Sequence, residues 1–279
     1  MGMIFDTSIW VGLAKMCIRD RQSVKQCCAT FYGSDFARML LGDSFHPGGT
    51  RLTGRLGELL ALSPESHVLD VASGRGTSAL HIAETFGCRV TGIDLSEENV
   101  SLASADASQR GVIGQVAFQL GDAERLPFED DSFDAILCEC AFCTFPSKSV
   151  AASEFYRVLK PGGQLGLSDL TRSEAEIPGL EGLLSWIACI GDALPEERYV
   201  ATLQRAGFHI SRTEDHSHAL VEMVRQIQAK LLGAEIMAGL KKIDLPGVDF
   251  ATGRQFAQAA LQATSSGVLG YIVIAATKP

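Results

Sequence analysis

The sequence predicts an α/β protein in which a parallel sheet is covered on both faces by helices. Three observations lead there. From residue 66 onward, short apolar runs alternate with helix-length amphipathic stretches, the order that joins parallel strands by crossover helices. The first apolar run is followed at once by a glycine turn, Ser73-Gly74-Arg75-Gly76. The second run closes on an acid, Asp94, where a strand would end at the ligand-facing edge of such a sheet.

The elements follow in order. His67 to Val71 reads as a short buried strand, and Thr77 to Phe86 as a helix whose inner face carries Ala79, Leu80, Ile82 and Ala83. Arg89 to Asp94 is a second strand. Ser96, with Asn99 three positions on, introduces a helix that runs to about residue 109. Val116 to Leu120 and Phe133 to Leu137 are the third and fourth strands. A further helix is closed by Leu159-Lys160-Pro161-Gly162-Gly163, and Gln164 to Ser168 is the fifth strand. Residues 174–207 read as helical, His209 to Thr213 as a strand, residues 219–242 as one long helix and Gly270 to Ala276 as a final strand. Between Leu220 and Leu261 the chain is apolar enough to line a pocket. Near the start, Ala29 to Leu41 is helix-like and His46-Pro47-Gly48-Gly49 is a turn.

Composition narrows the function. The chain has 279 residues, 46% of them hydrophobic, which is enough to bury a full core without staples and argues against disorder. With 33 acidic against 24 basic residues the net charge is −9, the wrong sign for a nucleic-acid surface. No apolar run reaches the ~18 residues of a membrane span. No secretory signal is read at the start, so the eight cysteines are expected as free thiols in the cytoplasm. The heptapeptide Lys15 to Arg21 resembles the translation of a transposon-end adapter, so residues 1–21 are expected to be a chimeric segment. Residues 22–65 are then a helical cap, 66–173 a cofactor-binding core, and 174–279 capping helices with closing strands.

The turn at residues 73–76 lacks the third glycine of a dinucleotide fingerprint, which counts against hydride transfer. Gly74 and Gly76 leave room for a ligand to approach the backbone at a helix N-terminus. Asp94 can accept hydrogen bonds from two ribose hydroxyls, and Asp122, after the third strand, from an adenine amino group. Each acid alone is an ordinary strand-end residue; in order along one sheet edge they read as a nucleoside site.

The segments VLDVASGRG, TGIDLS, GDAERLPFEDDSFD and YRVLKPGG resemble class I S-adenosylmethionine-dependent methyltransferases, in particular the branch of quinone-ring and arsenite methyltransferases. The resemblance covers about residues 50–170 and the closing strand. It implies a Rossmann-like sheet of seven mostly parallel strands, with S-adenosylmethionine at the strand C-termini. It implies also that Asp70, Ser73, Gly74 and Gly76 surround the methionine moiety, that Asp94 and Leu95 hold the ribose region, that Asp122 and Ala123 flank adenine, and that Cys138 lies beside the methyl group.

The thiols suggest the acceptor. Cys138-Glu139-Cys140-Ala141-Phe142-Cys143 follows the fourth strand, Cys27-Cys28 lies in the cap, and Cys189 lies where the family carries substrate-capping helices. The surroundings of Cys189 resemble a segment of arsenite methyltransferases. Soft thiolates suit a metalloid, so Cys189, Cys143, Cys140, Cys27 and Cys28 are the candidates to hold As(III) for in-line methyl transfer, with a cellular thiol such as glutathione or thioredoxin as reductant. No cysteine follows Cys189, where arsenite enzymes usually supply another ligand. The bland reading of each thiol is packing, most plainly for Cys88, and spacing does not favour a structural zinc site. Two other functions stay open: methylation of an organic thiol, quinone or sterol-like carbon acid, and a non-catalytic protein that binds cofactor or metalloid to regulate. Glu139 is a candidate to orient a substrate or to act as a base, or simply hydrogen-bonds a backbone amide; Tyr32 is a stacking group near the cofactor, and His46, in a loop that could cap the site, is chiefly a turn residue.

Overall fold

The computed structural model describes residues 25, 32, 38, 39, 41, 42, 44–175, 177–180, 189–240 and 249–279. Helix α1 (Gly49–Leu59) precedes β1 (His67–Val71), α2 (Thr77–Phe86), β2 (Arg89–Asp94), α3 (Glu97–Gln109), β3 (Val116–Leu120) and β4 (Phe133–Glu139). A 3-10 turn at Phe142–Thr144 leads to α4 (Lys148–Val158), β5 (Leu159–Arg172), α5 (Glu196–Arg205), β6 (His209–Asp215), α6 (Ser217–Gly239), α7 (Phe250–Ser265) and β7 (Leu269–Thr277). The seven strands form one sheet in the order β3-β2-β1-β4-β5-β7-β6. Strands β1 to β5 pair in parallel, while β7 runs antiparallel between β5 and β6. The expected Rossmann-like, mostly parallel seven-stranded sheet is therefore present.

Strand periodicity sorts the core into two layers. Val68 packs with Leu52 and Leu56 of α1 and Leu80 of α2 on one face, and Leu69 and Val71 pack with Phe155 of α4 and Leu203 of α5 on the other. In β7, Tyr271 and Val273 join the first layer and Ile272 and Ile274 the second. Helix α3 starts as expected, with the Asn99 N–H donating to Ser96 Oγ at 3.3 Å and Glu97 and Glu98 in the first turn.

Three expectations need correction. Strand β5 extends well beyond Gln164 to Ser168 because β7 pairs with it from Gln164 to Arg172, a partner about a hundred residues away in sequence. In the stretch read as helical, the described residues from 189 to 195 form a turn and a bridge, and α5 begins only after Pro195, which has no N–H to extend a helix backward. Residues 181–188 lie outside the described residues. Helices α6 and α7 pack on each other and on β7, and none of their described residues lines the cavity described next. Among the described residues no helix is long and apolar enough to cross a membrane.

The strand order reverses between β1 and β4. Chain leaving β1 crosses to one side and chain leaving β4 to the other, which opens a crevice at their carboxyl ends.

Candidate cofactor and active site

A cavity fills that crevice. Its floor is the β1 end and turn (Asp70, Ala72, Ser73, Gly74), its sides are Asp94 and Leu95 after β2 and Glu139 and Cys140 at the end of β4, and Tyr32, Phe45 and His46 cover it. Gly74 has φ 54°, and a Cβ there would meet only Phe45, at 3.9 Å, so the backbone presents itself openly to the cavity.

Asp94 is held in place by its neighbours. Gly74 N donates to Oδ2 at 2.8 Å, while Ser96 N and Asn99 Nδ2 donate to Oδ1 at 2.9 and 3.1 Å. Burial nevertheless pushes its carboxyl up against the pull of these donors. Asp70 is 3% exposed, and burial, then the charges of Glu139 and Asp94, push it well above the usual carboxylate range. Three carboxylates thus crowd one buried space.

Ser44 Oγ, Asp70 Oδ2, Ser73 Oγ, Asn99 Oδ1 and Glu139 Oε1 are buried without a hydrogen-bond partner, and all five residues line this one cavity. An orphaned buried polar group costs about 1–3 kcal/mol, so their concentration marks a space shaped for a polar ligand. Crowded carboxylates suit a cation, and the remaining acceptor capacity of Asp94 suits ribose hydroxyls. S-adenosylmethionine, with its sulfonium, ammonium and ribose diol, fits this donor and acceptor set.

Of the residues singled out from sequence, Asp70, Ser73, Gly74, Asp94, Leu95 and Cys140 line the cavity, as do Glu139, His46 and Tyr32. Gly76 does not. Its φ is 81°, and a Cβ there would lie 2.5 Å from the Phe118 ring and 3.0 Å from Ala103, so this glycine serves the turn and the packing of β3 on α3. Asp122 lies outside the lining, with Oδ1 accepting from Lys25 Nζ at 2.5 Å and from Glu124 N at 2.8 Å; Lys25 itself reaches the cavity. Ala123 is buried in the second core layer. Cys138 is fully buried in that same layer, and burial pushes its thiol well up.

Cys143 and Cys189 lie beside Cys140 and, unlike it, do not line the cavity. The Tyr32 hydroxyl is 3.2 Å from Cys189 Sγ, and Cys189 Sγ is 3.6 Å from the Cys140 carbonyl oxygen. Hydrogen bonds from the Cys140 and Cys143 thiols hold Cys189 well below the ordinary thiol range, which favours its thiolate. Cys140 and Cys189 have φ of 52° and 62°, a left-handed backbone that costs a β-carbon residue of order 1–3 kcal/mol. Cys27 and Cys28 lie outside the described residues. Cys88 is buried in the core, its thiol directed to the Ile82 carbonyl oxygen.

Thr53, Ser78 and Lys25 were not anticipated. Ser78 had a signal, because it stands in the first turn of the helix that follows the glycine turn. Thr53 reaches the site from α1 only through tertiary packing, and the Lys25–Asp122 contact spans 97 residues, beyond any local pattern.

A single sheet with this strand order, an antiparallel β7 and a cavity lined by polar groups at the reversal point defines a class I methyltransferase fold. The methyltransferase domain family matches residues 69–167. The 27-O-demethylrifamycin SV methyltransferase of Amycolatopsis mediterranei is 30% identical over 264 residues, which cover 88% of this chain and 94% of that protein. An uncharacterized protein of Haemophilus influenzae is 36% identical over 140 residues, 50% of this chain and 56% of its own length. Among solved structures, the [4+2]-cyclase SpnF superposes with a TM-score of 0.73 at 26% identity, covering 93% of this chain and 97% of that one. The chain belongs to the class I S-adenosylmethionine-dependent methyltransferases and is an enzyme that uses S-adenosylmethionine.

Proposed function

We propose that this methyltransferase acts on an organic small molecule through a hydroxyl or an acidic carbon. The observation that carries the reading is the composition of the cavity wall, where the aromatic rings of Tyr32, Phe45 and Phe145 face the same space as the buried carboxylates. Such a wall suits a largely apolar acceptor beside a cationic methyl donor. Likeness over 94% of a methyltransferase named for 27-O-demethylrifamycin SV supports the same class.

S-adenosylmethionine, when bound, supplies a methyl group made electrophilic by its sulfonium. Asp94 would hold the ribose hydroxyls, while Asp70, Asn99 and Ser73 would satisfy polar groups of the remainder. The aromatic cover would keep water from competing with the acceptor and fix its approach, which is where most of the rate of such a displacement arises. Free thiols at Cys88, Cys138, Cys140, Cys143 and Cys189 support a cytoplasmic setting.

A second reading keeps thiolate-bound As(III) as acceptor, and one observation favours it: Cys189 Sγ lies 3.2 Å from the hydroxyl of Tyr32 and 3.6 Å from the carbonyl oxygen of Cys140, both cavity residues, and its thiolate is favoured. Purified enzyme with S-adenosylmethionine is to be offered hydroxyl-bearing polyketides, sterols and quinols on one side and As(III) with excess glutathione on the other. S-adenosylhomocysteine release with an organic acceptor supports the first reading. Release with As(III) alone, lost in Cys189→Ser, replaces it by the second.

A further inference from the structure

Glu139 closes β4 at the cavity, and its two oxygens have different surroundings. Oε2 accepts from Ser78 Oγ at 2.7 Å and from Thr53 Oγ1 at 2.9 Å, and His46 Nε2 lies 3.5 Å away. Oε1 is buried with no partner. The His46 ring is fixed from its other side, Nδ1 lying 3.2 Å from the Pro47 carbonyl oxygen, which leaves Nε2 turned toward Glu139. Three elements, α1, α2 and the turn before α1, therefore hold one carboxylate oxygen of this cavity-lining residue and leave the other without a partner.

Asp70 also leaves one oxygen without a partner, so what sets Glu139 apart is the hold of Thr53, Ser78 and His46 on its other oxygen. Asp94 is held at both oxygens by backbone and amide donors, and its remaining lone pairs are those assigned to the ribose hydroxyls. Burial and two neighbouring charges favour the neutral, proton-bearing form of Asp70. Asp122 accepts from Lys25 outside the lining. The titratable groups that act on or face Glu139 are Asp70 of β1, His46 before α1, Cys138 of β4, Cys140 beyond β4 and Tyr271 of β7, with Lys25 and Arg75 on the same cavity.

We propose that Glu139 is the catalytic base of this enzyme, taking the proton from the acceptor, with His46, Thr53 and Ser78 as positioning residues. The proposal rests on the organic-acceptor reading and narrows it to acceptors whose nucleophilic atom carries a proton at neutral pH, an alcohol, phenol or enol. The acceptor O–H bond breaks and its proton passes to Glu139 Oε1. The oxygen lone pair forms the O–CH₃ bond, and the carbon–sulfur bond of the methyl donor breaks with its electron pair left on sulfur. Protonated Glu139 then returns the proton to water when product leaves. A positioned base contributes about 10²–10⁴-fold to such a step.

The test is Glu139→Gln. The amide oxygen can keep the Thr53 and Ser78 hydrogen bonds while the NH₂ occupies the Oε1 position, so the fold is retained but no proton can be accepted; thermal melting checks this. Three measurements are made on wild type and variant: S-adenosylhomocysteine affinity by calorimetry, turnover on the hydroxyl panel, and turnover on 4-nitrothiophenol, which is ionised at pH 8 and needs no base. The expected result is a fall of about 100-fold or more in kcat on hydroxyl acceptors, with affinity and thiophenol turnover within a few-fold of wild type. Equal hydroxyl turnover in the variant overturns the proposal. So does a loss of S-adenosylhomocysteine affinity of tenfold or more, which assigns Glu139 to the cofactor. Wild type that methylates As(III) and no hydroxyl acceptor overturns the underlying reading instead. His46→Gln, at unchanged S-adenosylhomocysteine affinity, is expected to lower kcat on hydroxyl acceptors while leaving KM and thiophenol turnover in place, a split that a purely structural role would not give.

Discussion

The chemistry around the cavity is decided by a few residues held against their ordinary preferences. Asp169, at the end of β5, is fully buried, accepts Cys143 N at 2.7 Å and Leu170 N at 2.8 Å, and is pushed up to about 7 by burial and then by the charge of Cys189. A carboxyl with a raised folded-state pKa binds more protons in the native than in the unfolded chain between pH ~4 and ~7. Its contribution therefore weakens as pH rises through that window, with a slope of at most about 1.4 kcal/mol per pH unit. Urea unfolding of wild type and Asp169→Asn from pH 5 to 8 should show this slope reduced in the variant; identical profiles would show that Asp169 ionises normally. The same scale explains why two neighbouring cysteines differ. Cys138 and Cys140 stand two apart and would share a strand face, but β4 ends at Glu139 and the 52° φ of Cys140 turns it to the cavity while Cys138 stays in the core.

Among the elements, the glycine turn between β1 and α2 is the most sensitive joint. Gly76→Ala would force a β-carbon into a left-handed backbone and onto the Phe118 ring, and the expected loss is about 2–4 kcal/mol, seen as a lower melting temperature. Gly74→Ala meets open space toward the cavity, so its cost should fall more on S-adenosylhomocysteine affinity than on stability, measured by calorimetry beside the melt. Strands β1 to β4 were legible in the sequence because each is a local run with its own turn signals. The length of β5 was not, because it is set by pairing with β7, nor was the role of Gly76, because the ring that packs on it comes from β3. At the site, Gly74 and Asp94 were readable from the glycine turn and the strand end, and Asp70, Ser73 and Leu95 through the family resemblance. Thr53 and Lys25 were not, since nothing near them in the chain marks what they meet.

For the whole molecule, one sheet brings the turn after β1, the acid after β2 and the end of β4 to a single crevice, so ligand binding and folding are linked. S-adenosylhomocysteine at 100 times its Kd should stabilise the fold by about 2.7 kcal/mol, observable as a raised melting temperature. Asp94→Ala should lose most of that increment, because the ribose would have no acceptor there; an undiminished increment would put the nucleoside elsewhere. The same architecture carries a [4+2]-cyclase, so the fold leaves the acceptor to be decided by the cavity wall. The measurement that decides it most directly is S-adenosylhomocysteine formation by the purified enzyme, with the hydroxyl panel in one series and As(III) plus glutathione in the other. The account predicts turnover with a hydroxyl-bearing organic acceptor and none with As(III); turnover with As(III) alone would contradict it.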